Sequence, residues 1–412
     1  MENFDVKLRN YVKLAVRVGV NIQKGQKLLV RCPVDQAYMA RLVMEEAYEA
    51  GAENVHIQWN DGAAARINFL KAPDSNFGVE RSYDKAFIQY MVDEGYNLIS
   101  IDAEDPEMLK GVDPERITKN MKVARLNSKP LKDKVMANEV QWSIVAVPGA
   151  AWARKVFPNA ANDEAAIAAM WEAIFAACRI DDNDPVENWK KHLVNLKSKI
   201  ATLMELDFQK LHFSNSLGTD LTIELPRGHV WIACGEKATT GNEFVANIPT
   251  EEVFTAPLNT STEGIVYASK PLAHMGDLIE DFWVRFEGGR AVEWDAKKNK
   301  NLLDKLITEE KNAEYLGEVA LVPHSSPISQ SGILWFETLY DENASCHIAL
   351  GAAYPVCLSG TEGKSEDELS AMGLNNCLSH TDFMIGTADM DIVGTKFDGE
   401  HVQVFKNGEW SL

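Results

Sequence analysis

In the run LSHTDFMIG, residues 378–386, an imidazole and a carboxylate stand two positions apart at the head of a stretch that continues through Phe383, Met384 and Ile385. Read as a strand, it puts His380 and Asp382 on one face and Thr381, Phe383 and Ile385 on the other. An ionised aspartate beside an apolar strand is costly unless it is paired or bound to metal. The same holds for Glu318 in YLGEVALVP, residues 315–323. In LYDENASCHIALGAAYP, residues 339–355, Glu342 and His347 flank a bend of small residues that lets both side chains approach one point, and Tyr354 stands just before Pro355. NIPTEEVFTAP, residues 247–257, adds the neighbours Glu251 and Glu252.

Each of these residues also has a plainer reading. Glu251 and Glu252 after Thr250 fit the first turn of a helix behind its cap. Tyr354 fits a turn, and a single histidine or aspartate at a strand end is commonly a satisfied structural group. As a set they carry more: Glu252, Glu318, Glu342 and Asp382 supply four negative charges beside the neutral rings of His347 and His380, the charge of two divalent cations. Mixed carboxylate and imidazole donors suit Zn²⁺, Co²⁺ or Mn²⁺ better than a thiolate cluster or the all-oxygen shell of Ca²⁺. Two such ions about 3.5–4 Å apart serve hydrolysis, activating a water and clamping the tetrahedral state.

The elements that must position these groups differ between the two halves of the chain. KLLVRCP (27–33), NVHIQW (54–59), YNLISIDAED (96–105) and WSIVAVP (142–148) read as buried strands. The run DQAYMARLVMEEAYEAG has helical spacing and stops at Gly51, and DEAAIAAMWEAIFAACR (163–179) is an apolar helix. Strand, helix, strand with short links implies parallel pairing and right-handed crossovers. Residues 1–185 are therefore expected to form an α/β domain with a mainly parallel sheet. After the acidic break DDNDPVENW (181–189) and one more helix, KLHFSNSLGTDLTIEL and EDFWVRFEGGRAVEW read as hairpins, with a helix at NKNLLDKLI. Residues 186–412 are expected to be a β-rich α+β catalytic domain.

Composition narrows the function classes. The formal charge of −20, from 61 acidic and 41 basic residues, opposes binding to nucleic acid or to an anionic membrane. No stretch approaches the roughly 20 apolar residues that cross a bilayer, and the start of the chain reads as an amphipathic helix of a cytoplasmic protein. Cys32, Cys178, Cys234, Cys346, Cys357 and Cys377 stand singly, without a CxxC pair, as buried free thiols in a reducing compartment do. No G-x-G-x-x-G follows a strand, and GTEGKS (360–365) lacks the first glycine of a phosphate-binding loop because Leu358 takes its place.

At IPTEEVFTAP, LGEVALV, DENASCHIALG, AYP and HTDFMIG the chain resembles the M29 metallopeptidases, the bacterial aminopeptidases of the S and T types, with the blocks in the family's order and over essentially the whole length. The resemblance implies that Glu252, Glu318, Glu342, His347, His380 and Asp382 hold two divalent metals, with Glu318 the bridge. It implies that Tyr354 is the active-site tyrosine and that Glu251 or Glu252 moves the proton. Cys377 departs from the family, where serine is more usual. The implied reaction is release of the N-terminal residue from short peptides by a water activated between the metals, in a homodimer whose sites face an enclosed interior. An acidic site also suits a substrate that ends in a free ammonium group. Two other readings compete: another two-metal hydrolase, acting on an amide or a phosphoester, and a non-catalytic protein that holds a small ligand in its α/β half. No basic cluster for phosphate lies near the candidate donors.

Overall fold

The computed structural model describes every residue except Met1, Glu2, Glu104, Pro106, Asp182, Cys234, Met275 and Gly276, so the thiol expected at Cys234 lies outside the described residues. The chain divides into two compact units, residues 1–191 with 235–249, and residues 192–234 with 250–412. A single cut near residue 185 has no place for the return of 235–249 to the first unit.

In the first unit, strands Lys27–Pro33, Asn54–Asn60, Tyr96–Asp102 and Trp142–Ala146 pair in parallel. The two-residue strand Asn247–Ile248 joins the edge against Ile144 and Val145. The spatial order is 247–248, 142–146, 96–102, 27–33, 54–60. Strand Lys27–Pro33 lies inside the sheet between 96–102 and 54–60, and Leu28, Leu29 and Val30 are all buried, as a strand covered by helices on both faces requires. The helix Ala37–Glu49 ends before Gly51, whose φ of 97° only glycine adopts without strain. Helix Asp163–Ala177 starts where Asn162 accepts from the Ala165 N–H at 2.8 Å. The long helix Pro114–Met136, which the sequence reading did not include, carries Pro130 in its interior. The amphipathic start is the helix Phe4–Leu14, with Tyr11, Val12 and Leu14 buried.

The second unit holds two antiparallel sheets. In the nine-stranded one, Phe208–Ser214 pairs with Asp220–Glu224 and Asp277–Glu287 with Arg290–Lys298, the two hairpins read from sequence. The other has five strands, in the order 380–384, 347–351, 316–321, 253–255, 232–233. One core joins them: Phe213, Ile223 and Phe282 from the first sheet meet Val319, Ile348 and Phe383 from the second, with Leu303 and Ile307 of helix Lys300–Thr308. No helix among the described residues is long and apolar enough to cross a membrane.

Candidate metal centre

The face of the five-stranded sheet turned away from that core carries the donors, and the ladder register places them. Ala349 pairs with Glu318 on one side and with Asp382 on the other, so the two carboxylates flank a single methyl group. His347 pairs with Ala320, and Gly351 pairs with His380. Alternation sends Val319, Ile348, Leu350 and Phe383 into the core and leaves Glu318, His347, His380 and Asp382 together on the opposite face. Glu252 precedes the buried Val253, which puts its side chain on the donor face as well. Residues 250–252 are not helical but lead directly into a strand, so the helix-start reading of Glu251 and Glu252 is set aside.

One glycine decides where Glu318 points. The ladder steps from Leu316 opposite Leu350 to Glu318 opposite Ala349, leaving Gly317 as the extra residue of a bulge. Plain alternation would give Leu316 and Glu318 the same face. The bulge lets Leu316 enter the core while Glu318 turns toward the histidines. A Cβ at Gly317 would lie 2.1 Å from the Ala352 carbonyl oxygen, so no side chain fits there. The sequence reading missed Gly317 and Ala349. The signal available was small residues on or beside the donor face.

Two overlapping groups result, Glu252 with Glu318 and His347, and Glu318 with His380 and Asp382, the donor atoms of each lying within 4.8 Å of one another. Glu318 belongs to both, and its two oxygens go separate ways. Oε1 is 3.5 Å from His347 Nε2, and Oε2 is 3.6 Å from His380 Nε2. His347 Nε2 also lies 2.9 Å from Glu252 Oε2, and His380 Nε2 lies 3.4 Å from Asp382 Oδ2.

The rings are held from behind. His347 Nδ1 lies 3.0 Å from the Ser345 carbonyl oxygen, and His380 Nδ1 lies 2.7 Å from that of Ala352. A carbonyl only accepts, so each Nδ1 carries the hydrogen, and in the neutral ring Nε2 keeps a lone pair aimed at the carboxylates. Glu252 Oε2, His347 Nε2 and Asp382 Oδ1 are buried without a hydrogen-bond partner; the 2.9 Å contact between the first two lacks hydrogen-bond alignment. An unmet buried polar atom costs about 1–3 kcal/mol, and three at one point fit a bound cation. The donor chemistry, carboxylate oxygen with imidazole nitrogen and no thiolate, fits a divalent metal of the Zn²⁺, Co²⁺, Mn²⁺ group.

The electrostatics of the bare site show the same unmet demand. Burial raises Glu318 to about 7 despite the His347 ring, with Asp382 and Glu252 adding to the rise. Burial and then the charges of Asp382 and Glu252 hold Glu342 well above the carboxylate range. Burial alone would lower both imidazoles, but the carboxylates outweigh it, leaving His347 well above its ordinary value and His380 up at about 9. Burial would raise Asp382, yet the His380 ring beside it holds it below the usual range. Glu318, Glu342 and both imidazoles thus register an excess of negative charge at this point.

The remaining candidates lie around this centre. Glu342, in a short turn Glu342–Ala344, lines a cavity of ≈ 150 Å³ with His380, Asp382, Thr338 and His274 but is in neither three-residue group. The Tyr354 ring centroid is 4.9 Å from that of His380, and Phe254 meets the Tyr354 ring edge-on at 6.2 Å. Burial, then the four carboxylates, push the Tyr354 hydroxyl far above its ordinary value, so it keeps its proton. Glu251 is buried, with its N–H donating to Asn343 Oδ1 at 2.7 Å and its carboxylate 3.9 Å from His192 Nε2. Glu252 is the neighbour that joins the donor set. Cys377 lies beside Ser379, its Sγ 3.3 Å from the serine hydroxyl, outside the donor set.

A sheet face with buried carboxylates and carbonyl-oriented imidazoles, in a chain that pairs a parallel α/β unit with a β-rich one, defines the class as metal-dependent. The model of the Peptidase_M29 family, described as thermophilic metalloprotease (M29), matches residues 4–410. Aminopeptidase AmpS of Bacillus subtilis (strain 168) is 42% identical over 412 residues, covering 100% of each chain. Aminopeptidase PepS of Streptococcus thermophilus is 41% identical over the same span, again covering 100% of both. The solved structure of wild-type AmpT from Thermus thermophilus superimposes with a TM-score of 0.93 at 36% identity, covering 99% of this chain and 100% of that one. The chain belongs to the M29 family of metallopeptidases.

Proposed function

We propose that this chain releases N-terminal residues from peptides with two divalent ions that share Glu318. It is a metal-dependent aminopeptidase; neither a different two-metal hydrolase nor a non-catalytic binding protein is favoured by its relatives. The observation that carries the two-ion reading is the splayed Glu318 carboxylate, with one oxygen toward His347 and the other toward His380. Glu252 and His347 would complete one position, His380 and Asp382 the other, and Glu342 would join from the cavity.

A divalent ion bound here supplies Lewis acidity toward a scissile carbonyl and lowers the pKa of water. The chain's own residues do the rest. Ser345 and Ala352 hold the imidazoles in the tautomer that offers Nε2. Tyr354 keeps its proton at the pH of the reaction and offers its O–H to the oxyanion that develops on the carbonyl oxygen. Glu251, adjacent to the donor set but turned toward His192, is the candidate to carry the proton to the leaving amine. The excess of carboxylates favours a substrate that presents a free amino group, which selects peptide ends over internal bonds.

Catalysis belongs to the second unit, which contains every residue named above. We further read the enzyme as a cytoplasmic homodimer acting on short peptides, with zinc, cobalt or manganese as the metal. Aminoacyl anilide hydrolysis, measured after chelation and again after return of each metal in turn, tests the reading. Activity should disappear with the chelator and return with metal. Turnover that survives complete chelation would overturn the mechanism.

A further inference from the structure

A second polar site lies in the first unit, at the carboxyl ends of its parallel strands. The spatial order 54–60, 27–33, 96–102, 142–146 reverses direction at strand 27–33, because the chain leaves it toward 54–60 and then crosses back to 96–102. In open parallel sheets the crevice at the carboxyl ends beside such a reversal is where small molecules bind. Here a cavity of ≈ 360 Å³ opens at that place, lined by Arg31, Gln58, Asn60, Ser100, Asp102 and Ile144 among others. That volume is within the range of about 300–1,000 Å³ typical of small-molecule sites.

The register makes these residues a built arrangement. Arg31 pairs with Gln58 on one side and Ser100 on the other, and Ser100 pairs with Ile144. All four share a face by alternation, and two residues earlier the same face is apolar, with Leu29 and Leu98 packed on Ile88, Met91 and Leu131. The apolar floor therefore gives way to a guanidinium, an amide and a hydroxyl. Arg31 Nε donates to Gln58 Oε1 at 3.1 Å, which turns the Gln58 amide nitrogen the other way. Burial pulls the Arg31 guanidinium below its ordinary value, and among the described residues no carboxylate forms an ion pair with it. A half-buried guanidinium with no ion-pair partner among the described residues is placed to receive an anion that enters the crevice. Asp102, two residues beyond Ser100 on the same face, stands about 6.5 Å further along the strand.

We infer that this crevice binds a free α-amino acid, the carboxylate taken by Arg31 and Gln58 and the ammonium by Asp102. A guanidinium fork matches a carboxylate in two parallel hydrogen bonds. An acid displaced along the same face suits a ligand whose opposite charges are a few bonds apart. Free amino acids are also what an aminopeptidase releases, but the assignment stands on Arg31, Gln58 and Asp102, within one unit, and not on the metal centre.

Calorimetric titration of the metal-loaded enzyme with L-alanine, propionate and alaninamide tests this in wild type, Arg31→Gln and Asp102→Asn. Wild type should show an alanine site additional to any at the metal centre. Arg31→Gln should weaken that site about tenfold or more, as loss of a charged hydrogen bond does, while anilide turnover stays unchanged. Asp102→Asn should weaken alanine and leave propionate unaffected, which carries the decision should Arg31→Gln not fold. Ligand-free Arg31→Gln should melt close to wild type, because the half-buried guanidinium makes a single side-chain hydrogen bond among the described residues, to Gln58. Alanine binding that is the same in wild type and both variants would overturn the inference. So would an Arg31→Gln protein that melts markedly lower with its alanine binding intact, since Arg31 would then be a structural residue.

Discussion

His347 Nε2 and Glu252 Oε2 lie 2.9 Å apart, both buried and neither in a hydrogen bond. Two polar atoms this close and this dry are arranged for a third partner between them. Glu252 should therefore be separable from its neighbour Glu251. Glu252→Gln is expected to lower metal content per chain and abolish turnover. Glu251→Gln should keep the metal while slowing turnover. Elemental analysis beside anilide kinetics checks both, and loss of metal in Glu251→Gln alone would reverse the assignment.

Gly317 is expected to be irreplaceable for geometric reasons. In Gly317→Ala the new Cβ meets the Ala352 oxygen at 2.1 Å, and Ala352 is also the residue whose carbonyl orients His380. Relief requires the bulge to move, which swings Glu318 away from one or both histidines. The variant should lose about 1–3 kcal/mol of stability, the usual cost of overpacking, and bind metal less tightly. Thermal melting and metal titration read the two effects separately.

Removing the metal should make stability depend on pH with a definite sign. Glu318 has a folded value of about 7 against 4.5, so its contribution is present at low pH and is lost as pH rises from about 4.5 through 7. His380, raised from 6.5 to about 9, contributes below 6.5 and loses that contribution as pH rises through 9. The chelated enzyme should thus melt at progressively lower temperature from pH 5 to pH 9. Asp382, held below its ordinary value, acts in the opposite sense only in more acidic solution. Metal return should flatten most of the slope, leaving what Asp341 contributes, since burial lifts its carboxyl to about 7 outside the two donor groups. Melting curves across this range with and without chelator measure it.

Tyr354→Phe should separate chemistry from binding. A phenol that keeps its proton is a poor metal ligand, so the variant should keep its metal and its melting temperature. Loss of one oxyanion donor commonly costs 10²–10³ in kcat, about 2.7–4 kcal/mol. Unchanged kcat would remove Tyr354 from the mechanism.

Much of this site was legible in the sequence, because a strand's period of two is simple to read. LSHTDFMIG places His380 and Asp382 on one face and Phe383 on the other, and Phe383 indeed packs 5.2 Å from Phe282 in the core. The four parallel strands of the first unit were visible as short apolar runs between helical patterns. Three things were not visible, each for a physical reason. The facing of Glu318 depends on a bulge, and a bulge breaks the period that pattern reading relies on. The return of 235–249 to the first unit depends on pairing across about a hundred residues, where Asn247 meets Ile144, and local pattern carries no record of it. The choice between Glu251 and Glu252 is a matter of phase at the entrance of strand 253–255, and it takes the placed Val253 side chain to show which of the two faces the donors.

Metal stoichiometry in wild type and Glu318→Gln tests the central claim most directly. Protein purified and dialysed without chelator should hold two divalent ions per chain by elemental analysis, and Glu318→Gln, which removes the charge shared by both positions, should lose occupancy at both together. A wild-type chain that saturates with one ion, or a Glu318→Gln chain that still holds two, would contradict the shared-carboxylate centre.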